Sequence, residues 1–257
     1  MGKQPRGLSG ENTLVVLRGI LRHTEFILSY SDVTVFLLAI FVSSVLTIGL
    51  LLQNPVVSFL IIAYGLGIGL VTGSMAQNLV EELSSGRVQL YLMMGLTRKR
   101  YALSWMLAVV VYPCLAAFLA LIIPIVLIDP SLFTKPIPVL GMYAPMPVFS
   151  EMLTAFILTT ITAGLSALLP AITITKRSAT VGLPVLVTLA YPFVAGFVGA
   201  LLNFGPRRIA MLMSPGNTIF AMMVNELRLD AIVALPQVVL ISILLASYVY
   251  VASRREV

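Results

Sequence analysis

Covalent chemistry needs nucleophiles, acids, bases or metal ligands gathered in one place, and this chain has few residues to gather. It contains one histidine, His23, and one cysteine, Cys114. A serine nucleophile needs a base beside it, yet His23 precedes the first long apolar run. Cys114 stands in an apolar stretch, so neither a disulfide framework nor a cysteine metal site is expected. The carboxylates are scattered: Asp32 and Glu151 flank apolar runs, and Asp129, Glu226 and Asp230 lie in loops. None falls in the middle of an apolar run, where proton- or ion-coupled pumps carry their ionisable groups. The expectation is a chain that is not an enzyme and holds no metal or cofactor of its own.

The polar segment with the clearest pattern is 78–101, NLVEELSSGRVQLYLMMGLTRKRY. Glu81 and Glu82 precede a Ser-Ser-Gly break at Ser84 to Gly86. An apolar run follows, and Gly95-Leu96-Thr97-Arg98 then leads into a basic cluster. Glycine adopts positive φ without steric cost, so Gly86 and Gly95 are expected to bracket one short helix lying along the membrane surface. Its apolar side would press on the bundle or on a partner, with Glu82, Arg87, Gln89 and Arg98 facing water. Such a segment is a lever on which a soluble partner could push; the other reading is an ordinary solvated loop.

Two further patterns carry alternatives. Thr159, Thr162, Ser166 and Thr173, spaced 3, 4 and 7 apart, form a polar stripe on an apolar helix. The stripe either lines a polar-tolerant pathway or bonds back to its own helix. Gly65, Gly69 and Gly73 form a small-residue ladder that lets helices approach closely, within the bundle or at a dimer interface.

The elements that position these residues follow from composition. Hydrophobic residues make up 59% and charged residues 10%, against roughly 45–50% and 25% in soluble domains. Too few charges remain to cover a soluble surface, so lipid is the expected solvent. Six runs approach the roughly 20 apolar residues needed to cross a bilayer: about 33–53, 56–77, 102–128, 152–175, 180–202 and 231–252. The expected fold is an all-α integral membrane protein, with residues 1–257 forming a single transmembrane domain. Pro113, Pro124, Pro170, Pro184 and Pro192 predict local disturbances of these helices. The polar first ten residues do not have the pattern of a signal peptide.

Orientation comes from Lys and Arg. With the N-terminus inside, Lys135, Arg207, Arg208 and Arg228 lie outside, and the other twelve of sixteen lie inside. That excess predicts a multi-pass cell-membrane protein with both termini cytoplasmic. It also accounts for the net charge of +6 without nucleic acid. In residues 11–30, Arg18, Arg22, Glu25 and Ser29 share one helical face, and Leu14, Leu17, Leu21 and Leu28 share another. This reads as an amphipathic helix on the lipid of the inner interface, or as a cytosolic helix packed on a partner. Tyr101, Trp105, Tyr248 and Tyr250 are expected in interfacial belts. The turn Ser214-Pro215-Gly216-Asn217 precedes Thr218 to Val224, a stretch too short to span and suited to a re-entrant or interfacial helix.

In its loop and topology the chain resembles the permease subunit of type-2 ATP-binding-cassette (ABC) exporters. That family has an acidic residue, a glycine, a Leu-rich helix and a turn ending in Ser/Thr-Arg. Glu82, Gly86, Leu90-Tyr91-Leu92-Met93 and Gly95-Leu96-Thr97-Arg98 occupy those places in order. Arg87 and Gln89 stand where Thr and Glu are common, and Gly95 where Pro is. The resemblance implies two permease subunits, alike or different, above a dimer of cytoplasmic ABC ATPases that hold ATP and Mg. Glu81, Glu82, Gly86, Arg87, Gln89 and Arg98 would then form the ATPase-coupling loop. The chain lacks the GxxxxGK[ST] phosphate loop and would itself hydrolyse nothing. A six-helix channel, translocase or assembly component without an ABC ATPase is the alternative.

Overall fold

The computed structural model describes residues 18–22, 24, 56–128, 130, 149–225 and 229–254. Glu25 and the expected first span at about 33–53 lie outside the described residues. Among those described, the regular structure is helical, with no strand.

Helix α1 (Val56–Ser84) is followed by the short α2 (Arg87–Met93). Helix α3 begins at Arg98–Met106, widens into a π turn at Leu107–Val111 and continues as Tyr112–Ile128. Helix α4 is Phe149–Thr173. Helix α5 runs through Arg177–Val185, a π turn at Leu186–Ala190 and Tyr191–Leu201. Two short helices, α6 (Pro206–Met213) and α7 (Thr218–Val224), precede α8 (Ala231–Arg254). Among the described residues, three stretches are long and apolar enough to cross a membrane: Leu153–Thr173, Arg177–Leu201 and Ala231–Arg254.

The central helix is α4. Its apolar window is 78% buried, against 22% for α5 and 17% for α8, and it packs on α1, α3, α5, α7 and α8. The close approach of α1 to α5 depends on the small-residue ladder. A Cβ on Gly73 would stand 2.7 Å from the Val181 Cα, and one on Gly69 would stand 3.1 Å from the Val185 backbone nitrogen. These two glycines therefore serve packing within the bundle.

The π turns of α3 and α5 each precede a Tyr-Pro pair, Tyr112-Pro113 and Tyr191-Pro192. A proline has no N–H for the carbonyl four residues back and crowds it; one extra residue in the turn relieves that crowding. The two carbonyls concerned belong to Val109 and Thr188. Asn217 donates its Nδ2 to the Thr188 carbonyl at 3.2 Å. The Val109 carbonyl lies 2.8 Å from where a Cβ on Gly164 would stand, so α4 can come close there only at a glycine.

Helices α6 and α7 form a hairpin about the Ser214–Asn217 turn. Ile219, Ala221 and Met222 of α7 are buried, and α7 packs on α4 and α8. The short stretch is thus inserted among the helices, as a re-entrant segment would be.

Candidate functional site

The segment between α1 and α3 is a tightly built elbow. Gly86 takes φ +71° and Gly95 φ +92°, so the two glycines bracket α2 as their spacing predicts. The end of α2 closes with the Leu96 N–H donating to the Tyr91 carbonyl at 3.1 Å and the Gly95 N–H to the Leu92 carbonyl at 3.1 Å. This is the Schellman pattern of a helix ended by glycine. Thr97 then caps α3, its Oγ1 accepting from the Arg100 N–H at 3.4 Å. Val88 holds α2 to the core, and Tyr91 and Leu92 pack against the same cluster.

Glu82 does not face water, contrary to expectation. It is 6% exposed because α1 continues past it and the spacing of Met75, Leu79 and Glu82 keeps it on the buried face. Its Oε2 accepts a hydrogen bond from the Tyr101 hydroxyl at 2.7 Å. The Trp105 indole lies beside this pair, and among the described residues its Nε1 makes no hydrogen bond of ordinary geometry. Glu82 is therefore a strut between α1 and α3. Burial pushes its carboxyl above the usual 4.5, although the Tyr101 hydroxyl and nearby Arg87 pull it partly back.

A folded pKa above the unfolded one means that this group favours the fold below pH 4.5. The contribution is lost as pH rises through the raised value. Glu82→Gln stays neutral and still offers Tyr101 an acceptor. Its thermal stability in detergent should exceed that of the native chain near neutral pH, and the difference should shrink on acidification. Glu82→Ala removes the hydrogen bond between α1 and α3 and should cost about 0.5–1.5 kcal/mol. Equal melting of all three proteins at every pH would remove the strut.

Glu81 is exposed and pairs with Arg177 Nη2 at 2.8 Å, linking the ends of α1 and α5. Around the tip of the elbow Arg87, Gln89 and Arg98 are exposed, as expected. Large apolar side chains are exposed with them: Leu90 at 60%, Met93 at 82% and Met94 at 83%.

The aromatic residues also depart from expectation. Tyr101, Trp105 and Tyr248 are buried in the core at this basic end, where the Tyr248 hydroxyl donates to the Ala102 carbonyl at 2.8 Å. They join helices instead of forming a belt, since the polar atoms of the two tyrosines find partners inside. Tyr250 is exposed, with the Arg254 guanidinium 4.4 Å from its ring centre.

The N-terminal helical segment docks beside the elbow. Ile20 and Thr24 are buried while Arg18, Leu21 and Arg22 are exposed. The Ser104 hydroxyl of α3 reaches the Ile20 carbonyl at 3.5 Å. Thus the segment has a protein-facing side in addition to its basic side.

The polar stripe of α4 is mostly interior. Thr159, Thr162 and Ser166 are buried, and their hydroxyls bond the Ala155, Leu158 and Ala163 carbonyls, each at 2.9 Å. Thr173 is exposed and bonds the Leu169 carbonyl at 2.8 Å. Gln237 of α8, which the sequence patterns did not single out, donates to Thr162 Oγ1 at 3.1 Å and accepts from Thr218. Ser214 bonds the Val233 carbonyl. A lone amide in an apolar run was the available signal for this network. Compared with family models and with curated proteins, the chain finds no match.

Proposed function

We propose that this chain is the membrane-spanning permease subunit of an ABC transporter of the exporter type. It crosses the membrane six times with both termini in the cytoplasm, pairs with a second permease subunit, and moves its solute with ATP hydrolysed by separate cytoplasmic ATPases. The observation that carries the reading is the elbow, which is rigid at its base and apolar at its tip. Val88 and the Glu82–Tyr101 bond fasten it to the bundle, while Leu90, Met93 and Met94 project. An ordinary solvated loop has no need of exposed methionines, whereas adaptable docking surfaces favour them.

The basic cluster at Arg98 to Arg100 supports a cytoplasmic position for this end, where an ATPase would bind. The N-terminal segment rests on α3 at the same end. Closure of an ATPase dimer would push α2, and the Glu82 strut would pass that movement to α1 and α3 together. A rigid-body switch between two accesses is the corresponding response.

The test is co-expression of the full chain with an ABC ATPase from the same genome. The expected result is retention of that ATPase in a fixed ratio when the chain is purified through its own tag. A chain that retains no ATPase in any nucleotide state would instead be a channel, translocase or assembly component.

A further inference from the structure

At the basic end α3 and α8 are joined by the Tyr248–Ala102 hydrogen bond, and their close packing falls within Arg98–Met106. A groove follows this seam, one part flanking the contact and an adjoining part beyond it floored by α4. One part, of about 340 Å³, is lined by Lys99, Leu103, Met106, Tyr248 and Ser253 among others. The other, of about 530 Å³, begins at the same Met106 and continues past Val111 and Leu115 to Phe118, Ile161 and Leu245, with no charged side chain among the described residues of its lining. The groove is therefore amphipathic along its length: an ammonium and a hydroxyl at one end, hydrocarbon at the other.

We propose that it binds an anionic phospholipid, with the phosphate at Lys99 and an acyl chain along the apolar part; the Ser253 hydroxyl beside Lys99 donates to the Tyr250 carbonyl of its own helix at 2.8 Å. The dimensions agree. From Lys99 to Leu115 helix α3 rises roughly 24 Å, enough for a headgroup level and one leaflet of hydrocarbon, whose core is roughly 15 Å thick. The charge also agrees. Lys99 is exposed and, among the described residues, has no carboxylate partner, while Arg98, Arg100 and Arg254 add positive charge at the same end. Basic pockets between membrane helices on the cytoplasmic side hold acidic headgroups in this way. Assignment to the cytoplasmic leaflet rests on the proposed orientation; the site itself does not.

Native mass spectrometry tests this on the full chain, delipidated in detergent and given equimolar phosphatidylglycerol and phosphatidylcholine with identical acyl chains. The native protein should retain phosphatidylglycerol about fivefold over phosphatidylcholine. Lys99→Gln should erase that preference and Lys99→Glu should reverse it, both by exchange of an exposed side chain. Leu115→Trp, at the rim of the apolar part, should reduce occupancy by both lipids while the protein stays monodisperse. Equal retention of the two lipids by the native chain, or an unchanged preference in Lys99→Glu, overturns the site. A lipid-free dimer that forms in place of the lipid complex would assign the groove to a second copy and also overturn it. No ATPase is present, so lipid selectivity without ATPase retention would refute the permease reading alone, and the converse would refute the lipid site alone.

Discussion

Gly216→Ala is expected to destabilise the purified chain by more than about 3 kcal/mol, enough to melt the α6–α7 hairpin out of the bundle. A Cβ at this position would lie 2.1 Å from the Val187 carbonyl oxygen and 2.9 Å from Pro192 Cγ. One obstacle is backbone and the other a proline ring, so neither can swing aside. Overpacking of this kind costs roughly 1–3 kcal/mol on its own. The turn would also carry away the Asn217 bonds to the Thr188 carbonyl and the Phe220 N–H, and the Ser214 bond to the Val233 carbonyl. Each such bond contributes about 0.5–1.5 kcal/mol net. Gly205→Ala is the matched control, because nothing lies within 4 Å of its added methyl and φ is −65°. Thermal melts in detergent should separate the two variants widely; similar melts would mean that the hairpin is not seated as described.

Met93→Asp combined with Met94→Asp should weaken binding of the proposed ABC ATPase partner by at least about 30-fold while leaving the melting temperature unchanged. The two side chains are more than four-fifths exposed, so the fold has little to lose from carboxylates there. A partner that buries them would meet two desolvated charges, and a central interface anchor is commonly worth 2 kcal/mol or more, which is about 30-fold in affinity. A charge reversal at Glu82 would be a poor probe of the same interface. That side chain is buried against Tyr101, and a lysine there would disrupt the elbow before any partner arrived. ATPase retention by the native chain and undiminished retention by the double aspartate variant would separate binding from the elbow.

Much of the elbow was legible in the sequence because glycine declares its own backbone. Gly86 and Gly95 stand where positive φ is needed, and the Thr97 cap follows directly. The Gly69–Gly73 ladder was legible for the same reason, since absence of a side chain is itself the packing signal. Glu82 was misread because a carboxylate is assigned to water by default. Its helical spacing from Met75 and Leu79 pointed inward, but its partner Tyr101 is 19 residues away and is brought there by the elbow. Gln237 was overlooked for a similar reason: Thr162 is 75 residues distant, and only helix packing brings them together. The paired π turns were signposted by Tyr112-Pro113 and Tyr191-Pro192, although the donor for Thr188, Asn217, comes from another element. Position along a helix was readable; company across the bundle was not.

The most direct test of the central claim places one reactive thiol at the tip of the elbow. Met94→Cys, in a chain carrying Cys114→Ala, is exposed to a membrane-impermeant maleimide in right-side-out and in everted vesicles, with and without the ABC ATPase. The account predicts labelling in everted vesicles alone, and protection there when the ATPase is bound. Labelling from the outer face, or equal labelling with and without bound ATPase, would contradict it.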